Sequence, residues 1–150
     1  MLQAQTILDR ALSEFSTEIG ELAETLISVS RGNFPGANIL VYDGYNALAV
    51  GFSANEKQSG IAFSITAYPR WVSLFFPRGK ELDDPQGLLK GSGKAIRHIV
   101  IEDEHHFASP CVRGFIEQAV ARCDPPFPEG GGAGIIVKSV ASKKRARRPD

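Results

Sequence analysis

The sequence predicts an α+β domain: an antiparallel sheet of about five or six strands with a long N-terminal helix and a C-terminal helix packed on one face. Apolar residues recur at spacings of three and four near the N-terminus, alternate with a period of two from 38 to 76, and return to helical spacing after 109. The chain has 150 residues, of which 43% are hydrophobic and 23% charged. This composition is typical of one soluble globular domain and excludes a disordered, collagen-like or membrane-spanning chain.

The first segment predicts one amphipathic helix of about 24 residues, about 36 Å long. Its apolar stripe consists of Leu8, Leu12, Phe15, Ile19, Leu22, Leu26 and Val29. Acidic residues fall between these positions, so we expect the stripe to lie across a sheet. Pairing with a second copy of the chain through the same stripe is the alternative.

Two hairpins follow. Asp43-Gly44 predicts a type I′ turn that pairs Tyr42 with Tyr45, and Pro69-Arg70 predicts a second loop of the same length. Alternation then places one set of apolar side chains on the face toward the helices. This set is Ile39, Val41, Leu48, Val50, Phe52, Phe63, Ile65, Ala67, Val72, Leu74 and Phe76.

The rest of the chain predicts a loop over 79–94, a strand over 96–101, a helix that begins at Ser109-Pro110, and a final edge strand in GIIVKSV. We expect one domain over 1–140 and a basic, disordered tail over 141–150. Cys111 and Cys123 fall in one predicted helix, too far apart for a disulfide, so we expect free thiols.

The opposite face of the sheet predicts a ligand-binding surface. Alternation places Tyr42, Tyr45, Tyr68, Trp71 and Phe75 there among small and hydroxyl side chains. An exposed aromatic surface of this kind indicates a binding site. The alternative is that the long helix, the 79–94 loop or a second subunit covers these rings.

Cations flank this predicted surface. Lys94, together with either Arg97 or His98, is positioned to hold an anionic group, and Lys90 is a further candidate. Which of Arg97 and His98 faces the aromatic side stays open, because strand parity alone does not decide it. The Gly-Ser-Gly-Lys run does not match a phosphate-binding Walker loop.

Two further interpretations come from charged segments. The acidic, histidine-rich turn formed by Asp103, Glu104, His105 and His106 offers ligands for a metal ion such as iron. The basic tail offers weak nucleic-acid contact. The sequence contains no recognisable catalytic motif, so the leading prediction is a non-enzymatic module that binds a small, partly apolar, anionic ligand without a cofactor.

Four segments carry a family resemblance: LVYDGYNALAVGF, AYPRWVSLFF, LDDPQGLLKGSGKAIRHIVI and IIVKSVASKKRARRP. They resemble the YdhG-like family of bacterial domains of unknown function, some of which are called frataxin-like intracellular iron chaperones. The resemblance implies an α+β domain with helices on one face of an antiparallel sheet. It also implies iron binding as the alternative function, through the acidic turn or through Glu14, Glu18, Glu21 and Glu24 of the first helix.

The expected location is the cytoplasm. MLQAQTILDR lacks the order of a secretory signal, and no run of about 20 apolar residues is present. We therefore expect no membrane partner, and a homodimer is a further possibility that the sequence leaves open.

Overall fold

The computed structural model describes residues 3–130 and 134–149. Four helices and six strands form the framework of the described residues. In chain order these elements are α1 (Ala4–Ser13), α2 (Thr17–Asn33), β1 (Asn38–Asp43), β2 (Leu48–Ser53), β3 (Ile61–Ala67), β4 (Val72–Phe76), β5 (Arg97–Ile101), α3 (Glu104–Phe107), α4 (Pro110–Ala121) and β6 (Ile135–Val140). Two short 3-10 turns lie in the β2–β3 and β4–β5 connections.

The strands form one mixed sheet in the order β5-β4-β3-β2-β1-β6. Strands β1 to β5 pair in antiparallel fashion, but β6 runs parallel to β1 at the sheet edge. The α+β class is confirmed, and the predicted antiparallel pairing holds for β1 to β5 but is wrong for β6. Residue alternation within a strand does not encode the direction of its neighbour, so the pairing of β6 could not be predicted from its sequence.

The hydrophobic core lies between the helices and one face of the sheet. Every residue that alternation assigned to the helix side is buried in a single cluster with apolar residues of α1, α2 and α4. Two core rings, Phe52 and Phe63, stack with their centroids 4.9 Å apart. The predicted division of the two hairpins into faces is therefore confirmed.

The predicted long N-terminal helix is two helices. Helix α1 ends at Ser13, and α2 begins after Ser16, whose hydroxyl accepts a hydrogen bond from the Ile19 amide at 3.3 Å. At the resulting elbow, a Cβ on Gly20 would lie 2.9 Å from the Leu12 carbonyl oxygen. The apolar stripe continues across the break, because Leu12, Ile19 and their neighbours in the stripe still face the core.

The first hairpin differs from its prediction at the turn. Asp43 pairs with Leu48 across a four-residue connection, and the Gly44 amide donates to the Ala47 carbonyl at 3.0 Å. Gly44 is not among the glycines with positive φ, which a type I′ turn requires. The register shifts by an even number of positions, so the faces of the two strands stay as predicted.

Two other predicted features are confirmed. Tyr68 and Trp71 close the second hairpin through a 2.9 Å bond from the Tyr68 amide to the Trp71 carbonyl. The Ser109 hydroxyl caps α4 by accepting from the Val112 amide at 3.4 Å.

Cys123 lies two positions beyond the end of α4 rather than inside it, and both cysteines are free thiols. Within residues 3–130 and 134–149, no helix combines the length and apolarity needed to span a bilayer.

The basic tail is bound to the domain, contrary to the expectation of disorder. Lys144 Nζ lies 2.6 Å from Asp43 Oδ2, and Arg147 Nη2 lies 2.7 Å from Asp43 Oδ1. Both cations also contact Glu14, at 3.2 and 3.1 Å, and the Arg147 guanidinium lies 4.9 Å from the centre of the Phe15 ring. The side chains of Asp43 and Arg147 are only 3% and 2% exposed. Buried opposite charges of this kind hold the tail in place, because separating them would leave an uncompensated charge in the interior.

We expect Arg147→Ala to lower the free energy of unfolding by about 3 kcal/mol, because the buried Asp43 carboxylate loses one of its two cations. The matched control is Arg145→Ala in the same tail, whose exposed side chain donates a 3.4 Å hydrogen bond to Asn46 Oδ1 and makes no ion pair among the described residues. The control should lower stability by about 0.5 kcal/mol or less. Urea unfolding of both variants measures the difference. Equal small losses in the two variants would mean that the buried cluster does not hold the tail.

Candidate functional site

The face of the sheet that points away from the helices is the candidate binding surface, here called the outer face. Cross-strand pairing aligns its side chains in two rows that run across five strands. The first row is Tyr42, Ala49, Thr66, Ser73 and Val100, and the second is Leu40, Gly51, Ser64, Phe75 and His98. Small residues therefore occupy the middle of the outer face, and larger rings lie on both sides of them.

An aromatic stack closes one end of the outer face. The rings of Tyr68 and Trp71 lie 4.7 Å apart at an interplanar angle of 19°. Trp71 remains 42% exposed, and Tyr68 is partly buried. Burial raises the pKa of Tyr68 above its ordinary value of 10.0, because the phenolate form loses hydration. The Trp71 ring of the stack is therefore open to solvent, whereas the Tyr68 hydroxyl is partly buried.

His98, and not Arg97, belongs to the outer face. The His98 ring lies 5.1 Å from the Phe75 ring. Arg97 alternates to the other side of β5, and its guanidinium donates to the carbonyls of Gly93 and Ile96 at 2.8 and 2.7 Å. Pairing with β4 thus decides between the two alternatives that the sequence left open, and it assigns Arg97 to closing the glycine-rich loop.

Lys90 joins His98 at the edge of the outer face. The two residues exchange backbone hydrogen bonds of 2.8 and 2.9 Å in an antiparallel bridge. Directly paired antiparallel residues project to the same side, so Lys90 projects to the outer-face side of β5. Lys94 lies instead in the exposed part of the loop and makes no ion pair among the described residues. The cation best positioned for an anionic group is therefore Lys90.

Two buried hydroxyls on the outer face have no hydrogen-bond partner among the described residues. Tyr42 Oη and Ser73 Oγ belong to the same row, and the Ser73 side chain is fully buried. An unsatisfied buried hydroxyl costs about 1–3 kcal/mol. Tyr45, the remaining predicted ring, lies in the β1–β2 connection and is 52% exposed, apart from both rows.

The predicted metal ligands are not assembled into a site in the described parts of the chain. The Asp103 carboxylate caps α3 by accepting from the His106 amide at 2.7 Å, and His106 Nδ1 accepts from the Glu102 amide at 3.1 Å. Glu104 and His105 lie exposed on the same short helix. Over residues 3–130 and 134–149, no three His, Cys, Asp or Glu side chains meet as a metal site would require.

Several cations of the basic tail form ion pairs or hydrogen bonds with the domain itself. Lys144 and Arg147 pair with Asp43 and Glu14, and Arg148 donates to the Ser13 carbonyl at 3.1 Å. Fewer basic groups are therefore free for a phosphate backbone than the sequence suggests.

Comparison with known proteins returns no match, whether with family models, curated proteins or solved structures. The resemblance to the YdhG-like family therefore stays a prediction.

We expect the Tyr68 hydroxyl to ionise above pH 10, since burial raises its pKa above the ordinary value of 10.0. The stability that this shift contributes is fully present below the pKa of the unfolded chain and is lost as the pH rises through the folded-state pKa. Absorbance at the phenolate band, taken as the difference between the native protein and Tyr68→Phe, isolates this group. Ionisation of Tyr68 at or below its ordinary pKa would contradict the burial of its hydroxyl.

Proposed function

We propose that this protein is a non-enzymatic binding module whose outer face holds a small, partly apolar, anionic ligand. One observation carries the proposal: small side chains form the middle of the sheet face, with aromatic rings on both sides and at one end. A sheet face left in water is ordinarily polar, so an aromatic one indicates that apolar material binds there.

The ligand would lie over the short side chains of Ala49, Thr66 and Ser73, of which Thr66 is 5% and Ser73 0% exposed. Tyr42 on β1 and Phe75 on β4 bound this region, about 14 Å apart across three strand spacings. An apolar group lying there would contact ring surfaces on both sides.

The polar contacts lie at defined places around this region. The Ser73 and Tyr42 hydroxyls are buried and lack partners among the described residues, so a polar group of the ligand would reach them only if neighbouring side chains shift. Lys90 and His98 at the β5 edge supply hydrogen-bond donors, and Lys90 supplies positive charge, for the anionic end.

The outer face is large enough for a metabolite-sized molecule. Six strands at a spacing of about 4.8 Å, with about five residues each, give a planar area of about 500 Å².

We expect Trp71→Ala to weaken binding of the apolar anion 1-anilinonaphthalene-8-sulfonate about five-fold, because one ring of the aromatic stack is removed. Emission of the bound dye measures the affinity, and circular dichroism checks the fold. Arg70→Ala, an exposed neighbour in the same turn, is the control and should bind as the native protein does. Unchanged dye affinity in a folded Trp71→Ala protein would contradict the proposed surface, and unfolding would show that Trp71 belongs to the core.

Lys90→Ala should weaken binding of the same anionic dye about three- to five-fold, the size expected for an exposed ion pair. Lys94→Ala is the matched control, since it removes the same charge from the same loop away from the outer face. Titrations followed by Trp71 fluorescence compare the two variants. Equal effects would mean that the loop acts only through net charge, and a larger effect of Lys94→Ala would reverse the assignment of the anionic end.

A further inference from the structure

A cavity of about 270 Å³ lies on the helix side of the sheet, away from the outer face. It forms where the β2–β3 connection, the end of β4 and the C-terminal end of α4 meet. At about 30 Å³ for each water molecule, the cavity has room for about nine non-hydrogen atoms. It is therefore of a size for a small organic molecule.

The inner wall of this cavity is apolar. Phe76, Leu82 and Ala119 line it from the core, and Ala54 and Ala62 line it from the β2–β3 side. All five residues are buried, and none offers a polar side-chain atom. A bound molecule would therefore place an apolar group against this wall.

The mouth of the cavity carries hydrogen-bond donors. Arg122 is anchored by a 3.1 Å bond from Nη2 to the Glu81 carbonyl, which leaves Nε and Nη1 without a partner among the described residues. Asn55 accepts at Oδ1 from the Lys57 amide at 2.8 Å, and no described residue accepts from its amide nitrogen. Other hydrogen bonds hold both side chains in place and leave N–H groups of each unbonded among the described residues. This favours a ligand with hydrogen-bond acceptor atoms.

The formal charges around the mouth cancel. The Arg78 guanidinium binds the Glu81 carboxylate through two bonds of 2.7 and 2.8 Å, and the negative Asp124 lines the same cavity as the positive Arg122. The carbonyl groups at the C-terminal end of α4 add partial negative charge. Recognition of an anion would thus depend on short-range hydrogen bonds from Arg122 rather than on long-range attraction.

Cys123 also lines the cavity, and its thiol is uncharged. Burial raises the pKa of its thiol above the ordinary value of 9.0, which keeps it protonated near neutral pH. The thiol donates instead to the Ala119 carbonyl at 3.6 Å.

We propose that this cavity is a second binding site, for a small apolar carboxylate whose carboxylate accepts hydrogen bonds from Arg122 and Asn55 while its hydrocarbon part lies against Phe76 and Leu82. The two sites share no residue, although the side chain of Ile61, which lines the cavity, lies against Gly51 of the outer face. A ligand of this size is expected to bind weakly, with a Kd of about 1 mM.

The test uses benzoate as the probe and the full chain as the protein. Amide chemical shifts in two-dimensional NMR locate the site and give Kd. We expect shifts confined to 54–62, 76–82 and 119–125, and a rise in Kd of about ten-fold in Arg122→Gln. Arg113→Gln removes an exposed arginine from the same helix and should leave Kd unchanged, because Arg113 does not line this cavity.

Two further measurements complete the test. Ala119→Leu fills part of the cavity and should abolish the benzoate shifts in a protein that remains folded. Benzamide, a neutral molecule of the same shape, should bind more weakly than benzoate. The proposal is overturned by an unchanged Kd in Arg122→Gln, by equal affinity for benzamide, or by the absence of benzoate shifts at the cavity.

The outcome is separable from that of the proposed function. Trp71→Ala should not alter benzoate binding at the cavity, and Arg122→Gln should not alter dye binding at the outer face. Benzoate shifts that appear only at outer-face residues would overturn the cavity site and leave the proposed function standing.

Discussion

Burial of one face of the sheet under the helices is the constraint on which the rest of this structure depends. The side chains of β1 to β5 that point toward the helices form one continuous cluster with the apolar stripes of α1, α2 and α4. Full burial of each large side chain contributes about 1.5–3 kcal/mol. A shift of one residue in any strand would turn its whole apolar set to the other side. The register is thereby set, and with it the composition of the outer face.

The ionic cluster around Asp43 joins parts of the chain that are far apart in sequence. Asp43 ends β1, Glu14 follows α1, and Lys144 and Arg147 come from the tail beyond β6. Asp43 and Arg147 are buried at its centre, so each of these two charges needs its partner, and the tail is held against the domain as a result. This also changes how a nucleic-acid role of the tail should be tested. Deletion of 141–150 would remove structural contacts, whereas substitution of the exposed Lys143 and Arg145 would not break the cluster.

The two candidate sites use the sheet in different ways. The outer face offers an extended surface with rings at its sides and Lys90 at its edge. The cavity offers a small, partly open space with an apolar wall and Arg122 at its mouth. The first suits a planar molecule that lies across strands, and the second suits a compact molecule with one acceptor group. Under both proposals a negative group of the ligand would accept hydrogen bonds from the protein, so the variants of one site serve as controls for the other.

The sequence by itself determined the α+β class, the division of both hairpins into faces, the second turn at Pro69-Arg70 and the start of α4 at Ser109. These features follow from local geometry, because strand side chains alternate and a capping serine satisfies the amides of its own helix. Tertiary structure alone decided the elbow near Gly20, the parallel direction of β6, the choice of His98 over Arg97 and the attachment of the tail. The cavity near Arg122 also belongs to this second group, since its walls come from three separate segments and no local pattern marks them. Each of these features depends on contacts between residues distant in the chain, which no local periodicity records.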